Sequence, residues 1–143
     1  MTAETQWLGS FPFGNNPGVD LIFTPHDETL RDRKFVVAAK RLPGGTTLDD
    51  WTASHVATLE SEADIASQPI CSKARAFRNT TLGGEPAREF QQACSPEYDV
   101  IVLTTVHRGR GYIFQFVSPK HNTAASDRRT YDAGRRAFGF TPK

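Results

Sequence analysis

The run from residue 72 to 118 constrains this chain most, because its alternating or β-branched segments are separated by glycine turns. "SKARAFRNTTL" (72–82) alternates with period two and sets Ala74, Ala76 and Arg78 on one face. Gly83-Gly84 is a two-residue hairpin signal, since both central positions of such a turn need positive φ. "EPAREFQQAC" (85–94) returns, and Pro86 must fall where the ladder asks for no N–H. "DVIVLTTVH" (99–107) is nearly all apolar or β-branched and predicts a central strand covered on both sides. "RGRG" (108–111) turns the chain into "YIFQFVS" (112–118), where Tyr112, Phe114 and Phe116 share a face. Four strands in close succession make an antiparallel meander. The stretch is scaffold, without a recognisable set of catalytic groups.

The remaining segments supply what covers that meander. Residues 1–18 are rich in turn formers and aromatics, and read as an irregular entry segment with Trp7, Phe11 and Phe13 docking on the body. Residues 19–143 form the single domain. "VDLIFT" (19–24) and "KFVVAAKR" (34–41) are strands, the second closed by the turn signal "LPGG". Residues 46–64 predict a helix, with Leu48, Trp51, His55, Val56 and Leu59 at three- and four-residue spacing along one stripe. Thr46 or Thr47 caps it, with Asp49 or Asp50 three residues on. Residues 123–140 predict a closing helix capped by Ser126 or Asp127, with Tyr131 and Phe138 facing the core. The order ββ-α-ββββ-α is that of an α+β domain, a mostly antiparallel sheet of about six strands with two main helices.

The two cysteines test this layout. If Gly83-Gly84 is a two-residue turn, facing positions total 167, and Cys71 and Cys94 are diagonal neighbours on one face. A four-residue loop lowers the total to 165 and sets Cys71 directly across from Cys94. Either register permits a disulfide; two unrelated buried thiols are the alternative. A bonded pair implies an oxidising compartment, so the reading leans to export with a targeting segment removed.

Charge excludes some functions. Seventeen Lys and Arg against sixteen Asp and Glu leave a net charge of +1, without the cationic surplus of a dedicated nucleic-acid binder. No apolar run is long enough to cross a bilayer. His26-Asp27-Glu28, or His55 with Glu60 or Glu62, lack the spacing that aims ligands at one ion, so neither metal nor cofactor is expected. Cys-His catalysis would need a free thiol with a base in reach, and nothing in the residue order provides it. His107 reads as a hairpin-rim histidine. The basic features are Arg108 and Arg110 in the "RGRG" turn, and Arg128, Arg129, Arg135 and Arg136 on the last helix. With Trp7, Phe11 and Phe13 they are the candidate partner surface; a solvated helix face and a tucked aromatic lid are the structural alternatives.

Four segments together carry a resemblance: "GTTLDDW", "TTLGGEPAREFQQAC", "DVIVLTTVHRGRGYIFQFVSP" and "DRRTYDAGRRAFGF". Over about residues 34–140 the chain resembles the PsbP-like family, whose pattern has a helix opening on Thr-Leu and a hairpin of the "GG-small-Ala-Arg-aromatic" kind. The family's usual opening strand is missing here or reduced to "QWLGSFPFGN". The resemblance implies an α/β/α sandwich and a non-catalytic accessory domain that binds a protein partner outside the cytoplasm. Members include a lumenal photosystem II accessory protein, a nuclear-import factor that binds the GTPase Ran, and bacterial lipoproteins or secretion chaperones. It further implies membrane association only through a lipid or membrane anchor outside this chain. The alternatives are a lipid or small-ligand carrier of the cell envelope, which needs an apolar cavity between sheet and helix, and a cytosolic secretion chaperone.

Overall fold

A computed structural model describes residues 7–11, 21–25, 33–61, 71–94, 98–119 and 124–140. In chain order the elements are β1 (Trp7–Phe11), β2 (Leu21–Pro25), β3 (Lys34–Arg41), α1 (Leu48–Ser61), β4 (Arg75–Leu82), β5 (Glu85–Cys94), β6 (Tyr98–His107), β7 (Arg110–Pro119) and α2 (Ala124–Ala137). The seven strands make one sheet in the order β1-β2-β3-β7-β6-β5-β4, and every neighbouring pair is antiparallel. The expectation of about six strands is corrected by one: Trp7–Phe11, read as part of an irregular segment, is an edge strand paired with β2. Main-chain pairing overrides the glycine and turn formers around it, which weaken a strand without forbidding one.

The meander is as the glycines demand. Gly83 (φ 59°) and Gly84 (φ 85°) occupy the two left-handed positions of the β4–β5 turn, and Leu82 pairs Glu85 across it. A side chain at Gly83 would also strike the Phe140 ring, which folds back over the turn. The β5–β6 ladder starts at Ala87↔Thr105, one residue beyond Pro86, so the missing N–H costs nothing. β6 is indeed central and doubly covered, with Val102, Leu103, Thr104 and Thr105 all fully buried. Its two threonines are satisfied: Thr104 shares a hydrogen bond with Thr52 of α1 (2.7 Å), and Thr105 donates to the Pro86 carbonyl (2.6 Å).

Alternation along the strands splits the interior in two, giving the α/β/α sandwich. Phe35, Val37, Leu82, Ala87, Leu103, Phe114 and Phe116 point to one face with Tyr131 of α2. Phe90, Val100, Val102 and Val117 point to the other, with Val56 and Leu59 of α1 packed against them. At α1's start, Asp50 N–H donates to Thr47 Oγ1 (3.1 Å) and Thr47 N–H donates to Asp50 Oδ2 (3.4 Å), a reciprocal cap that selects Thr47 and Asp50 from the expected pairs. Trp51 is buried and its indole N–H donates to the Tyr112 carbonyl (3.2 Å). The closing helix spans Ala124–Ala137, inside the expected 123–140. Ser126 and Asp127 lie inside its first turn instead of capping it, and the Asp127 carboxylate pairs with the buried Arg33 guanidinium.

Cys71 and Cys94 are bonded, with Cα atoms 4.0 Å apart, as a directly facing pair. Both registers weighed above contribute. Facing positions total 167 from Leu82↔Glu85 to Arg78↔Glu89, then 166 at Arg75↔Gln91 and 165 at Cys71↔Cys94. A bulge between Arg75 and Arg78 begins the slip, with Ala76 at φ 58°. Ala76 is therefore exposed and off the face that strict alternation predicted, while the Phe77 ring packs at a tilt against Phe90 (5.4 Å). Ser72 then clamps β5, its N–H donating to the Ala93 carbonyl (2.8 Å) and its carbonyl accepting from the buried Gln92 amide (3.0 Å).

The approach of α2 rests on Gly134, where an added Cβ would fall 2.2 Å from the Phe35 ring. Alanine gains about 1 kcal/mol of helix propensity over glycine, while overpacking a filled core costs about 1–3 kcal/mol. At so close an approach the second effect wins. Gly134→Ala should lower stability by roughly 1–2 kcal/mol in urea unfolding followed by circular dichroism.

Candidate functional site

Three constellations could bear function, and the first lies under α2. Glu89 is 1% exposed, at an inward position of β5 between Ala87 and Gln91. Desolvating a carboxylate costs several kcal/mol, which its hydrogen-bond and ion-pair partners must offset. Arg78 grips it from β4 with two nitrogens (Nε–Oε1 2.7 Å, Nη2–Oε2 3.0 Å), and the Tyr131 hydroxyl donates to Oε2 at 2.5 Å. Arg128 stands 3.8 Å away and rests over the Tyr131 ring at 5.1 Å. Burial first, then the bond to Glu89, pushes the Tyr131 phenol well above the ordinary tyrosine range. Arg78's own hydrogen bond to Glu89 holds its guanidinium above its usual range. A carboxylate so committed, beneath a helix, has no lone pair aimed at solvent. The cluster fastens α2 to the sheet.

The second constellation is a groove of about 220 Å³ beside the start of α2, at the disulfide end of the sheet. Ile101 and Phe116 line it together with Arg75, Asp99, Asp127 and Arg128. Sites for drug-sized molecules run from roughly 300 to 1,000 Å³ and are mainly apolar. This groove is smaller than that range, and its walls mix apolar with charged side chains.

The third lies at the opposite end of the sheet. On the α2 face Arg41 of β3 stands directly opposite Arg110 of β7, which stands opposite His107 of β6. Arg108 (φ 50°) and Gly109 (φ 77°) form the turn between β6 and β7, and Leu42 N–H donates to the Gly109 carbonyl at 3.0 Å. Lys40, Arg41, Arg108 and Arg110 are all exposed. Beside them His107 stacks on Phe140 with centroids 3.9 Å apart and planes 12° from parallel, and Tyr112 meets Phe140 edge-on. Glu85 closes the row, 3.8 Å from His107 Nδ1.

The residues singled out from sequence separate accordingly. Arg108 and Arg110 sit together on this rim. Arg128 and Arg135 face inward: Arg135 donates to Thr80 Oγ1 (3.3 Å) and the Thr81 carbonyl (3.4 Å). Arg129 and Arg136 are exposed on the outer side of α2. Trp7 and Phe11 fall at the two ends of β1, remote in strand order from β4 and β5. Phe13, His26-Asp27-Glu28 and Glu62 lie outside the described residues. Sequence reading missed Arg41, whose relevance appears only once β3 pairs with β7. It also missed Glu89, for which a carboxylate at an inward strand position was the available signal.

Neither a protein-family profile nor a curated protein matches the chain. Solved structures do. The solution structure of cyanobacterial PsbP (CyanoP) from Synechocystis sp. PCC 6803 superposes with a TM-score of 0.68 over 95% of this chain and 82% of that one, at 18% identity. The fold is PsbP-like. The crystal structure of PA94 from Pseudomonas aeruginosa, a protein of unknown function, superposes with the same TM-score over 96% and 99%, at 11% identity. At such identities the likeness speaks for backbone architecture. The PsbP-like sheet is common ground, and the side chains on its rim are this chain's own.

His55, weighed above as a ligand, sits on α1 with its ring stacked on Trp51 (5.8 Å) and a buried Nε2 without a hydrogen-bond partner. Among the described residues no group of His, Cys, Asp and Glu converges to hold a metal ion. Burial lowers the His55 pKa to about 4.

Two predictions follow from these geometries. Glu89→Gln removes the buried charge and leaves the half-exposed Arg78 facing an amide, so it should cost only about 1–2 kcal/mol, much as Tyr131→Phe should, both read from urea midpoints. For His55 the unfolded chain binds the proton first. Its neutral form is retained at no cost above pH 6.5, and stability falls as pH drops toward 4, by at most about 3 kcal/mol. A His55→Phe variant should show a correspondingly flatter loss of stability between pH 7 and 4.5.

Proposed function

We propose that this chain is a non-catalytic accessory domain that docks on a protein partner outside the cytoplasm. The observation that carries the reading is the use of both sheet faces. One is filled by α2 around Tyr131, the other by α1 around Trp51, so strand ends and edges remain for contact. The small volume of the groove, below the usual range for ligand sites, supports a partner over a lipid cargo. The Cys71–Cys94 bond supports an oxidising compartment over a cytosolic chaperone, because reducing cytosol keeps such pairs open. The PsbP-like fold is in keeping with accessory members of that group. No helix among the described residues is long and apolar enough to cross a membrane. Attachment as a lipoprotein or membrane-anchored protein would therefore use a segment other than these helices.

Thiol trapping with in-cell cross-linking tests both halves. In acid-quenched source cells the two cysteines should resist a maleimide reagent until reductant is added, and formaldehyde should yield a discrete adduct with another protein. Two freely alkylated thiols at steady state would overturn the compartment. A chain that is never cross-linked to another protein would overturn partner binding.

A further inference from the structure

We propose that the sheet end formed by Arg41, Arg108 and Arg110 is the contact surface, and that its occupant is a protein segment bearing neighbouring carboxylates. This rests on the partner-binding reading above and specifies its chemistry.

The charge at this end is locally uncompensated. The protein as a whole is nearly balanced, seventeen cations to sixteen anions, so a cluster of one sign requires segregation. None of the described acids near this end reaches these cations. Asp49 pairs with Arg88 at 2.9 Å, Asp50 receives the Thr47 N–H, and Glu85 stands against His107. Among the described residues, Lys40, Arg41, Arg108 and Arg110 have no carboxylate within ion-pairing distance. Two like charges directly opposite across an antiparallel ladder work against the sheet, and Arg41↔Arg110 is such a pair. Among the described residues nothing offsets it. An external anion would.

The cluster is also preorganised. Arg41 and Arg110 stand on paired strand ends, Arg108 sits in a tight left-handed turn, and the Leu42–Gly109 hydrogen bond joins the two connections. Little backbone ordering is left to oppose binding. Guanidinium forks on adjacent strands match carboxylates in two-pronged geometry. A membrane surface fits less well, because interfacial binders combine cations with apolar side chains that insert. Within residues 33–60, 71–94, 98–119 and 127–140 the exposed large hydrophobic is Phe77, on β4 beside the bulge that leads to the disulfide, at the other end of the sheet. A nucleic acid fits less well too, since three or four cations on a near-neutral domain give a short electrostatic footprint.

The test is an amide chemical-shift titration of the full chain at low salt with three probes: a glutamate-rich dodecapeptide, vesicles containing phosphatidylglycerol, and a single-stranded oligonucleotide. The peptide should shift amides around Arg41, Arg108, Gly109 and Arg110, and its affinity should fall as salt is added. Arg41→Gln/Arg110→Gln should weaken it roughly tenfold, whereas Arg129→Gln/Arg136→Gln, on exposed α2 positions, should change it less than about twofold. The first variant should unfold at no lower urea concentration than wild type, since removing a like-charge pair relieves the sheet. Shifts centred elsewhere, equal weakening by both variants, tighter binding of vesicles or oligonucleotide at this rim, or a marked loss of stability on losing Arg41 and Arg110 would each overturn the proposal. A cellular protein adduct mapped to another surface would sink this assignment and leave partner binding intact; the lack of any adduct would remove the reading beneath it.

Discussion

Pairing of β3 with β7 along the full length of β3 is the constraint on which the rest of the molecule depends. It closes the largest gap in sequence within the sheet and joins the N-terminal strands to the meander. Because β3 takes the open edge of β7, α1 must cross one face of the sheet to deliver the chain to β4 at the far edge. The same pairing puts Phe35 beside Phe116, and these rings form the floor on which α2 lies, with Tyr131 of the helix packed against Phe116. Long-range pairing of this kind bears a loop-closure cost that local hairpins avoid, and the apolar faces on both sides are what offset it.

α2 is held in a different way from α1. α1 is capped at Thr47 and lays an apolar stripe on the sheet, with Trp51 and Thr52 supplying two specific hydrogen bonds. α2 carries few large apolar residues and relies on charge: Asp127 with Arg33 near its start, Glu89 with Tyr131 and Arg78 at its centre, Arg135 toward β4 near its end. Buried ion pairs give little net stability but fix position, since each misalignment exposes an unpaired charge. The arginines of α2 therefore divide by face. Those turned inward set the helix, and those turned outward are solvated.

Once the helices have taken both faces, the sheet's two ends differ in character. The disulfide end is tied covalently and bordered by a charged groove. The hairpin end is tied by two left-handed turns and an aromatic shelf of His107, Tyr112 and Phe140. Among the described residues the second carries a cluster of exposed cations drawn from paired strand ends, the feature on which the proposed docking surface rests.

Period-two alternation, glycine pairs and the helical stripe at Leu48, Trp51 and Leu59 were enough, read alone, to set the strand and helix segments of the core, their order and the α+β class. These are local properties: turns needing positive φ, and side-chain periodicities of two and 3.6. The segments 34–41 and 85–94 needed no revision. β1 was hidden because its strand exists only through pairing with β2. The cysteine bond was legible as a possibility, yet its facing geometry needed a bulge at Ala76 that no periodicity announces. Glu89's burial, the inward turn of Arg128 and Arg135, and the opposition of Arg41 to Arg110 were decided by tertiary structure. Each depends on which distant segment lies alongside, and a linear pattern of residues carries no information about a neighbour sixty or seventy positions away.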